Sequence, residues 1–161
     1  MIRALGSDDL EIFMALWLIA LAECPGAFGD DELSAKANAQ ARWSAGLRDN
    51  PRYGFFDEGL LVGVVGIGSN ALPKKKHISG IGPLYVASDY RGRGIAQQLM
   101  QHAIACLPPH VELVRLGVNA RSANVLRLYE RLGFTSWGTE PKALKLEDGS
   151  YADIIWMSRQ K

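Results

Sequence analysis

Near the middle of the chain, Leu84-Tyr85-Val86 runs through Ala87-Ser88-Asp89-Tyr90 into Arg91-Gly92-Arg93-Gly94 and on to Ile95-Ala96-Gln97. A β-prone stretch, a short polar turn and a glycine-arginine loop therefore lead directly into a segment of helical composition. The first turn of a helix exposes N–H groups without partners and carries partial positive charge, so it attracts phosphate. Glycine at 92 and 94 permits close approach of the backbone and positive φ, and Arg91 and Arg93 add charge-assisted donors. A glycine pair alone would only shape a turn. Two glycines, two arginines and a helix start together describe a pyrophosphate cradle. Two familiar phosphate motifs are excluded, because the chain has no GxxxxGK[ST] and no GxGxxG after the first strand of a βαβ unit.

The rest of the sequence organises around this segment. Ile2 to Leu5 reads as an edge strand, and Ser7 or Asp8 can cap a helix that runs to about Glu23 before Cys24-Pro25-Gly26. A second helix is expected from Asp31 to Leu47. Tyr53–Phe56 and Leu60–Ile67 form a hairpin around Asp57-Glu58-Gly59. Further strands are expected over His77–Val86, Val111–Val118, Thr135–Lys145 and Tyr151–Met157, with helices over Gly94–Leu107 and Ala123–Leu132 and Gly133 as a left-handed cap. Helices mixed with hairpins predict an α+β fold with a mixed sheet, in one domain over residues 1–161.

Composition removes several function classes. Eighteen basic residues against seventeen acidic ones leave a net charge of +1, which gives no electrostatic basis for a nucleic-acid partner. The longest apolar stretch, Leu10 to Ala22, contains Glu11 and is too short to span a bilayer, so no membrane is expected. Asp8, Asp9 and Glu11 occupy the place where a signal peptide is basic. Cys24 and Cys106 form no CxxC pair and no ligand set with His or carboxylates, which predicts reduced thiols, no metal and a cytoplasmic location. Neither cysteine is expected to have a paired histidine, which argues against a covalent route through a cysteine nucleophile.

Arg91-x-x-Gly94-x-Ala96 resembles the R/Q-x-x-G-x-G/A signature of the GNAT N-acetyltransferases, and Leu128-Tyr129-Glu130-x-x-Gly133-Phe134 resembles the second hallmark of that family, LYE-x-x-GF. The amino-terminal Glu23-Cys24-Pro25-Gly26-Ala27-Phe28-Gly29 and Arg42-Trp43, and the tail from Gly138 to Met157, are similar to one branch of it. The resemblance implies a mostly antiparallel sheet of about seven strands with a splayed central pair, and about four helices. It also implies acetyl-CoA as the acyl donor, with an amine of a small molecule or peptide as the acceptor, and it leaves a homodimer open. The pantetheine arm would pair with the backbone of Leu84, Tyr85 and Val86. The pyrophosphate would rest on Arg91, Gly92, Arg93, Gly94, Ile95, Ala96 and Gln97, with Ser122 and Asn124 as further cofactor contacts.

Tyr129 corresponds to the family's proton donor to the departing thiolate; as residues alone read, a core tyrosine on an amphipathic helix is an equal reading. Two departures stand out. The family's Asn seven residues before that tyrosine is Ser122, which can cap the helix but lacks an amide's two-sided reach, and Asn119 or Asn124 can substitute. The expected cofactor strand also carries no Glu to act as base. His77, Glu23, Glu140 or a water remain in play, and none is preferred. Phe28, Trp43, Glu23 and Glu140 are candidates for the acceptor pocket. The competing class is a non-catalytic acyl-CoA-binding or regulatory module.

Overall fold

The structure, a computed structural model, describes residues 1–161 apart from the side chains of residues 44, 45, 48 and 49. Its strands are β1 (Ile2–Ala4), β2 (Arg52–Asp57), β3 (Leu60–Gly68), β4 (Ile78–Val86), β5 (Leu113–Asn119), β6 (Thr135–Lys145) and β7 (Tyr151–Gln160). The helices are α1 (Leu10–Glu23), α2 (Glu32–Ala37), α3 (Ala39–Asp49), α4 (Ile95–Ala105) and α5 (Ala123–Arg131). The strands form one sheet in the order β1-β2-β3-β4-β5-β7-β6, in which β4 and β5 are parallel and every other neighbour is antiparallel. The α+β reading and the mixed, mostly antiparallel sheet hold.

β3 fixes the middle of the sheet. Its run Leu61-Val62-Gly63-Val64-Val65-Gly66-Ile67 is buried throughout, as a strand covered on both faces must be. On one face Leu61 and Val64 pack with Phe13, Leu16, Trp17 and Ala20 of α1 and with Trp43 of α3. On the other, Val62 and Val65 pack with Leu99, Met100 and Ala103 of α4 and with Leu128 and Tyr129 of α5. The buried positions of α1, Phe13, Leu16, Trp17, Ala20 and Leu21, follow the i, i+3, i+4, i+7, i+8 spacing of a single stripe.

Two local expectations need correction. Neither Ser7 nor Asp8 caps α1. The chain first makes a 3₁₀ turn over Ser7–Asp9, and the Asp9 carboxylate folds back to accept from the Gly6 N–H at 2.7 Å and from Arg3 Nη1 at 2.7 Å. The helix expected over Asp31–Leu47 is two helices, which brings the total to five, in keeping with the count of about four. Asn38, with φ −115° and ψ 9°, interrupts it, and its Nδ2 donates to the Ser34 carbonyl at 3.2 Å. A short amide that competes for helix carbonyls ends helices in this way. By contrast the β2–β3 hairpin turns through Glu58 and Gly59, both with positive φ, as its sequence predicts.

Candidate active site

The site begins where the sheet stops being a sheet. β4 pairs with β5 only through Ile78–Leu113, Ser79–Val114 and Gly80–Arg115, after which the two strands part. The cause lies on the other side of β4. Its register with β3 steps from Ile67–Ile81 to Val65–Leu84, so Gly82 and Pro83 together oppose Gly66. Such a bulge bends the strand that carries it, and proline offers no N–H to a ladder. Gly66 is required opposite the bulge, because a Cβ there would stand 2.7 Å from the Gly82 carbonyl oxygen. Gly66→Ala should therefore destabilise the protein by about 1–3 kcal/mol in denaturant unfolding, the usual cost of forcing atoms into a packed site.

Past the bulge, the gap opens into a cavity of about 560 Å³ between Pro83–Val86 of β4, Gly117–Asn119 of β5, and Val125, Leu128 and Tyr129 of α5. The Ala87 N–H donates to the Val62 carbonyl at 2.9 Å. Hydrogen-bonded pairs alternate along an antiparallel ladder, so the main chain of Tyr85, opposite Val64, also pairs with β3. Leu84 and Val86 turn their backbone groups into the gap instead. Of the three residues expected to offer backbone to a ligand arm, the register selects these two. Tyr85 contributes its side chain, whose hydroxyl donates to Glu23 Oε2 at 2.9 Å.

At the end of β4 the chain makes a 3₁₀ turn over Ser88–Tyr90 and enters the glycine-arginine loop. Gly92 and Gly94 adopt φ of 77° and 75°, and a Cβ at Gly92 would meet nothing within 4 Å. The ladder of α4 starts with the Gln98 N–H donating to the Gly94 carbonyl at 3.1 Å. The N–H groups of Ile95, Ala96 and Gln97 therefore have no intrahelical acceptor. Both arginine side chains are engaged by the protein. Arg91 Nη2 pairs with Glu23 Oε2 at 2.6 Å and its Nε donates to the Val86 carbonyl at 2.9 Å. Arg93 Nη2 donates to the Asp89 carbonyl at 3.1 Å, with its guanidinium 4.9 Å from the centre of the Tyr90 ring. The donors that this loop leaves free are thus backbone N–H groups; Ala96 lines the cavity while the Ile95 side chain is buried in the core.

Tyr129 is held by the residues that follow it. The Phe134 N–H donates to the Tyr129 carbonyl at 3.0 Å and the Gly133 N–H to the Glu130 carbonyl at 2.9 Å, with Gly133 at φ 83°. These are the two bonds of a Schellman ending, whose flanking apolar contact is here the Tyr129–Phe134 ring pair at 5.9 Å. The spacing Tyr-x-x-x-Gly-Phe is therefore the geometry of a helix stop that fixes the tyrosine. Its ring is 6% exposed and lines the cavity, and its hydroxyl makes no hydrogen bond among the described residues. Burial pushes this phenol up to about 12, so it stays protonated at neutral pH.

The polar residues beside α5 divide. Ser122 occupies the N-cap position and lines the cavity, but its hydroxyl makes no capping bond, contrary to the cap expected of it. Asn124 also lines the cavity and accepts from Arg127 Nη2 at 2.6 Å. Asn119 is committed elsewhere: its Nδ2 donates to the Gly26 carbonyl at 2.7 Å and its Oδ1 accepts from the Arg121 N–H at 2.8 Å.

Of the base candidates, only Glu23 reaches the cavity. The Tyr85 hydroxyl, and then Arg91, hold its carboxyl below its ordinary value, which makes it a weak proton acceptor. His77 is exposed and precedes β4, seven residues or about 23 Å of strand from Leu84. Glu140 accepts from Trp156 Nε1 at 3.0 Å. The cysteines differ from expectation. Cys24, at the end of α1, lines the cavity, and Cys106 does have a histidine beside it, since its Sγ lies 3.5 Å from His102 Nε2 one turn earlier in α4. That i, i+4 relation was legible once the helix was drawn; the His102 ring packs on Tyr53, on β2.

A family model described as the acetyltransferase (GNAT) family matches residues 13–134. An uncharacterized N-acetyltransferase of Methanocaldococcus jannaschii is 31% identical over 140 residues, which cover 83% of this chain and 59% of that protein. The chain thus spans little more than half of the curated relative it matches. A ribosomal-protein-alanine N-acetyltransferase from Brucella melitensis superposes with a TM-score of 0.87 at 24% identity, covering 100% of this chain and 99% of that one. A Salmonella typhimurium protein described as an acetyltransferase and solved with its cofactor acetyl-CoA superposes at 0.85 and 20% identity, covering 99% and 92%. These two likenesses concern the fold, whereas the family match spans both the bulged strand and the Schellman stop. The chain belongs to the acetyltransferase (GNAT) family.

Proposed function

We infer that this chain is a single-domain, acetyl-CoA-dependent N-acetyltransferase that acts on a primary amine by direct transfer. The observation that carries the reading is the pair formed by a strand edge at Leu84 and Val86 that β5 does not pair and a run of free helix-start amides at Ile95, Ala96 and Gln97. An amide-bearing pantetheine arm needs the first and a diphosphate needs the second. A Cβ at Gly92 would enter open space, so the cradle has the room a phosphate requires. Bound acetyl-CoA would supply an acetyl group activated as a thioester.

The chain's own groups then divide the work. The Val86 N–H faces the gap and is placed to meet negative charge growing on a carbonyl oxygen. The Tyr129 hydroxyl, protonated and without a protein partner, donates a proton to the departing sulfur. The walls of the cavity hold the reacting groups in line. Neutral amine arises from its own equilibrium or through water, since the one carboxylate at the cavity is held in an ion pair. Among the described residues no helix is long and apolar enough to cross a membrane. A cytoplasmic setting fits the two free thiols.

The test is thiol release from acetyl-CoA in the presence of an amine panel. An acyl-CoA-binding module without turnover would use the same cleft, and it would bind CoA but release no thiol. None of His77→Ala, Glu23→Ala and Glu140→Ala should remove activity. An ammonium of pKa about 10.4 is only ~0.04% neutral at pH 7, so the rate should climb about tenfold per pH unit below that value. If one alanine variant loses several orders of magnitude together with this dependence, that residue is the base.

A further inference from the structure

A second cavity, of about 410 Å³, lies between α1, α3 and the bulge of β4. It shares Ala27, Phe28 and Pro83 with the larger cleft, so the two meet at the bulge. Its walls combine the apolar rings of Phe13, Trp17, Phe28 and Trp43 with polar groups, and two arginines enter it. Arg42 has its acid, pairing with Asp30 at 2.6 Å. Arg52 has none: its Nε and Nη1 are buried and make no hydrogen bond among the described residues. The Phe13 and Trp43 rings lie 5.4 Å from its guanidinium carbon, which satisfies the face of the cation but none of its donors. Burial and the neighbouring Arg42 pull its pKa down from the ordinary arginine value. A charged group left in that state is costly, and its retention calls for an anion that completes it.

The position is informative. Arg52 stands opposite Gly66 on β3, and Gly66 stands opposite Gly82 and Pro83, so Arg52 is two strands, or about 10 Å, from the bulge. The reacting amine must reach Leu84–Val86, only one to three residues further along β4. Because the Arg52 side chain and Pro83 of the bulge line one cavity, an anion held at Arg52 and an amine presented at β4 fit within one small molecule. Resting on the acetyl-transfer reading above, we propose that the acceptor is an amine carrying a carboxylate, an amino-acid-like molecule with an apolar side chain, and that Arg52 anchors that carboxylate.

The experiment uses L-leucine, L-methionine and L-phenylalanine beside their amides and decarboxylated amines, with wild type, Arg52→Gln and Arg52→Lys. Binding is followed by calorimetry, and turnover by thiol release. Wild type should favour the carboxylates by about 10- to 100-fold in both readouts, the range expected for a charge-assisted pair. Arg52→Gln should abolish that preference, bringing the carboxylates down to the level of the decarboxylated amines, and its Tm should equal or exceed that of wild type, since an uncompensated charge is removed. Arg52→Lys should retain part of the preference, lacking the planar fork. Arg52-dependent carboxylate binding without any turnover would support the anion site while overturning the transferase reading. Turnover of amines with no gain from the carboxylate, or with the gain intact in Arg52→Gln, would overturn this proposal and leave the transferase reading standing.

Discussion

Gly94→Val is expected to lower CoA affinity by about 10²-fold or more, because it removes several charge-assisted backbone contacts to phosphate at once. Gly94 sits at φ 75° as the N-cap of α4, beside amides that have no acceptor of their own. A β-branched residue there suffers twice, through the left-handed backbone and through methyl groups standing where an anion would lie. The backbone strain costs about 1–2 kcal/mol, against a typical domain stability of about 5–15 kcal/mol, so the variant should still fold. Gly94→Asn separates the two causes, since asparagine tolerates the left-handed region. It should bind CoA better than the valine variant and more weakly than wild type. Calorimetry on protein of verified Tm is the measurement, and a folded Gly94→Val with unchanged affinity would remove the cradle from the site.

Tyr129→Phe should reduce turnover by roughly 10²-fold, the usual worth of a positioned general acid. CoA affinity should change much less. Stability should be unaffected or slightly raised, because the hydroxyl it deletes makes no bond to the described protein. That combination distinguishes a proton donor from a core tyrosine, whose loss would show in Tm and not in rate. The phenol is pushed up to about 12 by burial, so it remains a donor across the range in which the amine loses its proton. The wild-type rate should therefore show no alkaline fall from Tyr129 below about pH 11. A Tyr129→Phe enzyme with full turnover would return the residue to the core.

The sequence and the structure agree where local chemistry decides the outcome. The strand–turn–helix at Leu84–Gln97, the Glu58-Gly59 hairpin and the Gly133 stop were all legible, because each depends on glycine at a fixed offset from an apolar run. The break at Asn38 was harder, since flanking alanines, lysine and glutamine favour helix, and it rests on one residue whose backbone leaves the helical region while its amide folds back on Ser34. Tyr85 looked like part of a ligand-binding edge until the register turned its backbone towards β3. Ser122 sits at the N-cap without capping, a matter of side-chain rotamer that spacing does not encode. Arg52 carries no motif at all. Its isolation follows from which elements cover β2, and only the assembled packing of α1 and α3 shows it.

The parting of β4 from β5 after Gly80 has a thermodynamic side. Sheets usually keep their free edges at the rim, where water satisfies them, but this one has an edge in its middle. On the proposed reading, an arm bound along Leu84 and Val86 would complete the sheet, acting as a missing strand of the fold as well as a reactant. A ligand that binds only the native state adds about 2.7 kcal/mol at a hundred times its dissociation constant. On the same reading that stabilisation would enter past Gly80, where β4 and β5 no longer pair. A bound arm, so proposed, would thus tie together two halves of a sheet that β4 and β5 themselves join only through Ile78–Gly80.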